Sequence, residues 1–165
     1  MSFIATAPPS ANQGSTSPNP AIVENDGWFP DIDLIHMRDA MRLDGTVTNP
    51  RLTQAIVEAI IHVNQELVGW KATQQAAGTT SMDAVPAPSV NRESTFVIHY
   101  RRAVYSTAKA DLIERYRDID TTASSLADKK SMDWQHDAPE DQRRNAHWAI
   151  ADILGRTHML SLIHI

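Results

Sequence analysis

Seven histidines are the side chains of this sequence best suited to bind a metal or move a proton: His36, His62, His99, His136, His147, His158 and His164. Two imidazoles on one helix face need a spacing of three or four, and no His-x-x-x-His or HExxH pattern occurs. The nearest grouping, His136 with Asp137 and Asp141, lies in a polar stretch. The chain has no cysteine, which excludes disulfides, thiolate zinc sites and a thiol nucleophile. There is no GxxxxGK[ST], GxGxxG or GxSxG pattern. Six glycines are too few for a phosphate-cradling loop as well as the turns. Asp31 and Asp33 are explained by helix capping. Glu114, Arg115 and Asp118 form a solvated face with pairs three and four residues apart. Nothing has the form of an activated nucleophile or a tuned acid–base pair. The sequence reads as a non-enzyme with no metal and no cofactor, so its function must reside in surfaces.

Charge narrows the choice of surface. Fifteen Lys and Arg stand against 20 Asp and Glu, for a net charge of −5. A sequence-independent DNA binder draws its affinity from cations on phosphates, and this chain has no basic block. Arg101-Arg102 and Arg143-Arg144 are local patches only. The 165 residues are enough for one domain with one core. The absence of cysteine is compatible with an intracellular origin. Residues 1–7 lack a basic start and an apolar run, which speaks against a signal peptide. No apolar run is long enough for a membrane span.

The elements that must carry those surfaces are helices. Residues 1–23 hold no charged side chain and are rich in Pro, Ser, Ala, Asn, Thr and Gln. Such a stretch buries too little apolar surface to offset its ordering entropy, so residues 1–27 are expected to form an extended or disordered arm. Trp28 and Phe29 come next, either as a lid clamped over the core or as part of a subunit interface. Asp31 or Asp33 is placed to cap a helix running to about Leu43. Asn49 then suits an N-cap, with Pro50 at the first helical position. Leu52, Ile56, Ile60, Val63, Leu67 and Trp70 recur at steps of 4, 4, 3, 4 and 3, one face of a helix. Gly78 is a stop, so the pattern predicts a single spine of about 28 residues. Pro86 and Pro88 make residues 79–91 a loop.

A third helix is predicted from about Arg92. Phe96, Tyr100, Val104, Ala108 and Leu112 wind around it, and Val97, Ala103, Ile113 and Tyr116 broaden its apolar face, as in a central helix. Tyr100, Tyr105 and Tyr116 read as core or rim residues. Residues 118–130 are polar and read as a loop or a polar helix. Pro139 ends or kinks any helix before it, and Asp137 or Asp141 can start the last one, which runs to Leu154 and stops at Gly155. On that helix Ala146, Ile150 and Ile153 share a face. Trp148 lies nearly opposite, on the side of Ala151, so a second apolar face is predicted there, either inside the domain or against another chain. Met159, Leu160, Leu162, Ile163 and Ile165 make an apolar tail that must dock, on its own core or on a neighbour. The reading is an all-α, single-domain bundle of about four main helices: arm 1–27, helical domain 28–155 and docking tail 156–165.

The order of these features resembles the phage head completion proteins, the L protein family of P2-type contractile-tailed phages. The likeness begins at Trp28-Phe29-Pro30-Asp31-Ile32-Asp33 and passes through Met41-Arg42-Leu43, Arg51-Leu52, Ala55-Ile56, Asn64 and Glu66-Leu67. It continues in Asp83-Ala84-Val85-Pro86, Tyr100 and Arg102-Ala103-Val104. It is sharpest at Glu114-Arg115-Tyr116-Arg117-Asp118-Ile119-Asp120, Asp128-Lys129-Lys130 and Trp148-Ala149-Ile150-Ala151. It spans residues 28–165 by shared order and spacing, not by any single motif.

The resemblance implies a structural virion protein at the portal vertex or neck, assembled in the bacterial cytoplasm. It implies a homo-oligomeric ring, commonly twelvefold, between the portal protein and a tail terminator or neck protein. DNA would pass through transiently and unspecifically, with no membrane involved. It assigns the apolar tail to portal or neighbour docking. One departure is Pro139, which falls where this family suggests an uninterrupted helix. The alternative reading is a DNA-binding packaging protein like a small terminase subunit, which calls for a basic recognition helix that is not evident.

Overall fold

The computed structural model describes residues 21–122 and 138–156, with the backbone alone for 117–122. Among the described residues it is mostly helical, and the helices are framed by two short antiparallel strand pairs. The strands β1 (Ile22–Val23) and β2 (Ile32–Asp33) pair with Ile22 opposite Asp33. They bracket the Trp28-Phe29 turn. The helix α1 (Leu34–Ala40) starts at once, and the Asp33 carboxylate caps it by accepting from the N–H groups of Ile35 and His36. It stops short of the predicted end at Leu43: Met41 is the C-cap, and Arg42 sits at φ 55°. The Arg42 N–H donates to Asp39 O and the Leu43 N–H to Arg38 O, the paired closure of a left-handed helix end.

The helix α2 (Asn49–Glu66) carries the clearest sequence pattern, and Leu52, Ala55, Ile56, Ala59, Ile60 and Val63 are its buried residues. The cap lies one residue earlier than the sequence suggests. Thr48 is the N-cap, without a side-chain bond. Asn49 instead accepts from Arg38 Nη2 at 2.9 Å, and Pro50 sits in the first turn, where a missing N–H costs nothing. The predicted single spine is two helices. It breaks at Leu67, at φ −93° and ψ 0°, and α3 (Val68–Ala76) continues beyond. Buried Leu67 anchors the junction. Gly69 weakens the first turn of α3, and α3 has no buried residue to hold it in line. Gly78 then closes α3 at φ 90°, as predicted.

The expected loop before the next helix contains β3 (Ser89–Val90) and β4 (Glu93–Ser94). Asn91 and Arg92, at φ 52° and 63°, make the two-residue turn with positive φ at both positions that matches strand twist. Among the described residues the all-α expectation therefore becomes mostly helical with two small sheets, and five helices replace the four of a simple bundle. The strands leave no trace in the sequence because each is two residues long, and no alternation can show in two residues.

The helix α4 (Thr95–Thr122) is 28 residues long, about 42 Å. It runs into the polar stretch that reads as a loop or a polar helix. Polarity marks exposure, not a helix end, and no Gly or Pro occurs between 95 and 122. Residues on all sides of α4 are buried, including Tyr100, Ala103, Val104, Ala108, Lys109, Leu112 and Ile113, so it is the central helix. The helix α5 (Pro139–Ile153) packs against it. Its N-cap is Ala138, not an aspartate, and Pro139 opens the helix instead of interrupting it. Glu140 and Asp141 complement the dipole in the first turn. Gly155, at φ 65°, closes α5, with the Arg156 N–H on Ala151 O.

Both α2 and α5 run antiparallel to α4. Arg51 and Glu58 of α2 meet Tyr116 and Arg115 of α4, whereas Asn64 meets Tyr100. On the other side Arg143 of α5 meets Glu114, and Asp152 lies 3.5 Å from His99. Polar contacts thus mark each end of the stack.

Candidate assembly surface

The Trp28-Phe29 turn is built by Asp26. Its carboxylate accepts from the N–H groups of Trp28 and Phe29, both at 3.0 Å, and from Lys71 Nζ at 2.5 Å. Gly27 supplies the φ of 80° between them. Burial alone would raise the Asp26 pKa, but the bonds from Lys71, Phe29 and Trp28 outweigh it and hold the carboxyl below the usual aspartate value. Both rings face inward, Trp28 at 5 % and Phe29 at 3 % exposure. Phe29 stacks on Tyr100 at 4.9 Å, and Trp28 meets Trp70 edge-on at 5.7 Å. The Trp28 indole N–H donates to Thr79 O, and its carbonyl accepts from the Met82 N–H. Lys71 also lies over both rings. The pair is thus a lid on this chain's own core.

Beneath the lid three side chains close a circuit. Asn25 Nδ2 donates to the Tyr100 hydroxyl at 2.8 Å, the hydroxyl donates to Asn64 Oδ1 at 2.7 Å, and Asn64 Nδ2 donates to Asn25 Oδ1 at 3.0 Å. Burial is the main reason that the Tyr100 pKa is pushed far up. Each member of the circuit has its partners, as a low-dielectric interior demands.

Tyr100 is the first of a row along α4. Tyr105 Oη lies 2.7 Å from His36 Nδ1 on α1, and burial pushes its pKa up to about 12, opposed by Arg101 and aided by Asp33 and Glu93. Lys109 Nζ donates to Met41 O at 3.2 Å. The Tyr116 hydroxyl donates to Thr46 O at 3.0 Å and accepts from Arg51. Segment 25–46 is thereby fastened alongside α4 at four points. Sequence reading places the tyrosines in the core or rim but misses this row and the asparagine circuit. The available signal is three tyrosines on one long helix, whose hydroxyls need partners once buried.

On α5, Ala146, Ala149, Ile150 and Ile153 are buried against the core, the face that the spacing predicts together with Ala149. Trp148 and Ala151 are half-buried, and the Arg144 guanidinium lies 5.4 Å from the Trp148 ring centre. The structure does not bring Trp148 and Ala151 together with Trp28 and Phe29; the two pairs lie on different elements. Met159, Leu160, Leu162, Ile163 and Ile165 lie outside the described residues, as do residues 1–20 of the expected arm and His136 with Asp137. Residues 21–27 are described, with Val23 buried.

A groove of about 350 Å³ separates α2 from α5, with α4 as its floor. Glu58, His62 and Glu66 line one wall, Arg143, His147 and Ile150 the other, and Asp111 the floor. Burial raises the Asp111 pKa; Arg115 opposes this and Glu58 adds to it. Among the described residues no cluster of His, Asp and Glu has the arrangement of a metal site, and no helix is long and apolar enough to cross a membrane. The chemistry on display is that of packing and docking.

Known proteins give that surface a context. Residues 23–163 match the family model described as Phage head completion protein (GPL). The chain is 38% identical over 154 residues to the "Head completion/stabilization protein" of Escherichia phage P2, covering 91% of this chain and 89% of that one. It is 22% identical over 116 residues to the "Probable head completion/stabilization protein" of Haemophilus phage HP1 (strain HP1c1), covering 67% and 77%. No solved structure matches. With a family model spanning nearly all of it and a relative of this identity along most of both lengths, the chain belongs to the phage head completion protein family.

Proposed function

We propose that this chain is a structural virion protein that completes and stabilises the DNA-filled head by forming a ring, twelvefold, between the portal protein and a tail terminator or neck protein. The observation that carries the proposal is the family match over residues 23–163. A net charge of −5 supports a channel that lets DNA pass without holding it. The subunit is assembled in the bacterial cytoplasm and resides at the portal vertex.

Within the proposal Trp148 and Ala151 present the outer face of α5 to a neighbouring subunit. Trp28 and Phe29 contribute by bracing α3 and α4, since they have almost no surface left to offer. Met159, Leu160, Leu162, Ile163 and Ile165 dock on the portal or on a neighbour. In a closed ring every such contact is heterologous.

Native mass measurement with and without purified portal rings is the test. The chain alone should be monomeric and should load onto the portal in the portal's own copy number. Deleting residues 159–165 should leave the helical signal intact and abolish loading. A truncated chain that still loads would remove the tail from the docking role, and a wild-type chain that never loads would end the connector reading.

A further inference from the structure

The face of α2 turned away from the core is apolar where a solvated helix should be polar. Val57 and Ile61 are 39 % and 53 % exposed, and Val68, at the start of α3, is 64 % exposed. At about 100° per residue Ile61 lies opposite the buried row that ends at Val63. Among the described residues the other large exposed apolar side chains, Ile35 and Val90, stand singly on other elements, which is ordinary for a protein surface.

We infer that in the free subunit this stripe is covered by the chain's own apolar tail, residues 157–165. This goes beyond the connector reading, because it concerns the subunit before it meets a portal. Three observations point to this occupant. The tail carries no Asp, Glu, Lys or Arg and holds Met159, Leu160, Leu162, Ile163 and Ile165, so its chemistry matches an uncharged stripe. It also starts at the right end of the molecule. Asp152, in the last turn of α5, lies beside His99 near the start of α4. Asn64 and Trp70, near the end of α2 and in α3, pack on Tyr100 and Phe96 of the same stretch. Finally, the extended tail is longer than the stripe. Nine extended residues span about 30 Å, whereas Val57 to Val68 covers about 16 Å of helix rise. A tethered segment meets its site at an effective concentration on the order of millimolar, well above that of a second copy at micromolar protein.

The absence of cysteine makes a clean test available in the full chain. The double variant I61C/L162C should form an intramolecular disulfide under mild oxidation at micromolar concentration, seen as a monomer of raised gel mobility. I35C/L162C, with its first cysteine at the exposed position 35 of α1, should not. Circular dichroism of the reduced variants checks that both are folded. A bridge found only in dimers would assign the stripe to a second copy and overturn the inference. Equal bridging from both positions, or none from Ile61, would overturn it as well. A second measurement needs no cysteine. I61D should speed tryptic cleavage after Arg156 several-fold while other sites keep their rates, and an unchanged rate at Arg156 would count against a docked tail. Portal loading of the unmodified chain is read separately, so failure here leaves the connector test standing.

Discussion

Tyr100 shows how much one hydroxyl can hold. It accepts from Asn25 and donates to Asn64, and those two asparagines bond each other. Y100F keeps the ring on Phe29 but leaves two part-buried amides short of a partner, so it should destabilise the fold by about 1–3 kcal/mol in urea unfolding. A loss within error of zero would mean that water replaces the hydroxyl. Asp26 makes a prediction in pH. Its folded pKa lies below the ordinary 3.8, so its contribution is fully present above that value and is lost as pH falls through the lowered one. The acid limb of the stability curve should therefore flatten in D26N. The helix start was legible to within Asp31 or Asp33 because caps act locally, whereas Trp28 and Phe29 stayed open between lid and interface because their partners Trp70 and Tyr100 are far along the chain. The asparagine circuit was not, since its members are 39 and 75 residues apart and nothing in a linear pattern pairs them.

At the scale of elements, the breaks are more instructive than the helices. Leu52 to Val63 declared α2 plainly, and Gly78 and Gly155 declared two ends. The break at Leu67 was hidden because the apolar period runs on through Trp70, and period reports the face of a helix but not its continuity. Gly69 weakens that junction. Its φ is not positive, and a Cβ added there meets nothing within 4 Å. G69A should therefore stabilise the chain by about 0.5–1 kcal/mol, read as a raised thermal midpoint. Destabilisation instead would show that α3 needs its looseness. Arg42 is the opposite case, a side chain held at φ 55°. R42G should stabilise the end of α1 by up to about 1 kcal/mol, read as a raised urea midpoint; a lowered midpoint would show that the Arg42 side chain holds that end.

For the whole molecule, the mostly helical character and the central helix were readable from the breadth of the apolar face on residues 96–116, and the choice of family from the order of its segments. The small sheets and the true length of α4 were not, because two-residue strands leave no pattern and polar residues do not end a helix. The charge balance makes a prediction at this scale too. Gel-shift titration with duplex DNA should show no tight complex between about 50 and 200 mM salt. A complex that weakens steeply over that range would favour the packaging-protein reading.

The row of fastenings along α4 has a consequence for the birth of the protein. Asn25 with Tyr100, His36 with Tyr105, Met41 with Lys109 and Thr46 with Tyr116 are 75, 69, 68 and 70 residues apart. Segment 25–46 therefore lacks its fastenings to α4 until the ribosome has made that helix, on the order of 4–14 s later. A nascent chain must carry Phe29 without its stacking partner Tyr100 through that interval, and this ring is the natural foothold for a chaperone. Loop closure over such separations costs entropy before the contacts repay it; on the expectation that they follow the nucleus, Y105F and Y116F should hasten unfolding while leaving the refolding rate nearly unchanged. Stopped-flow chevrons would reveal a slowed refolding limb if the row instead belonged to the nucleus.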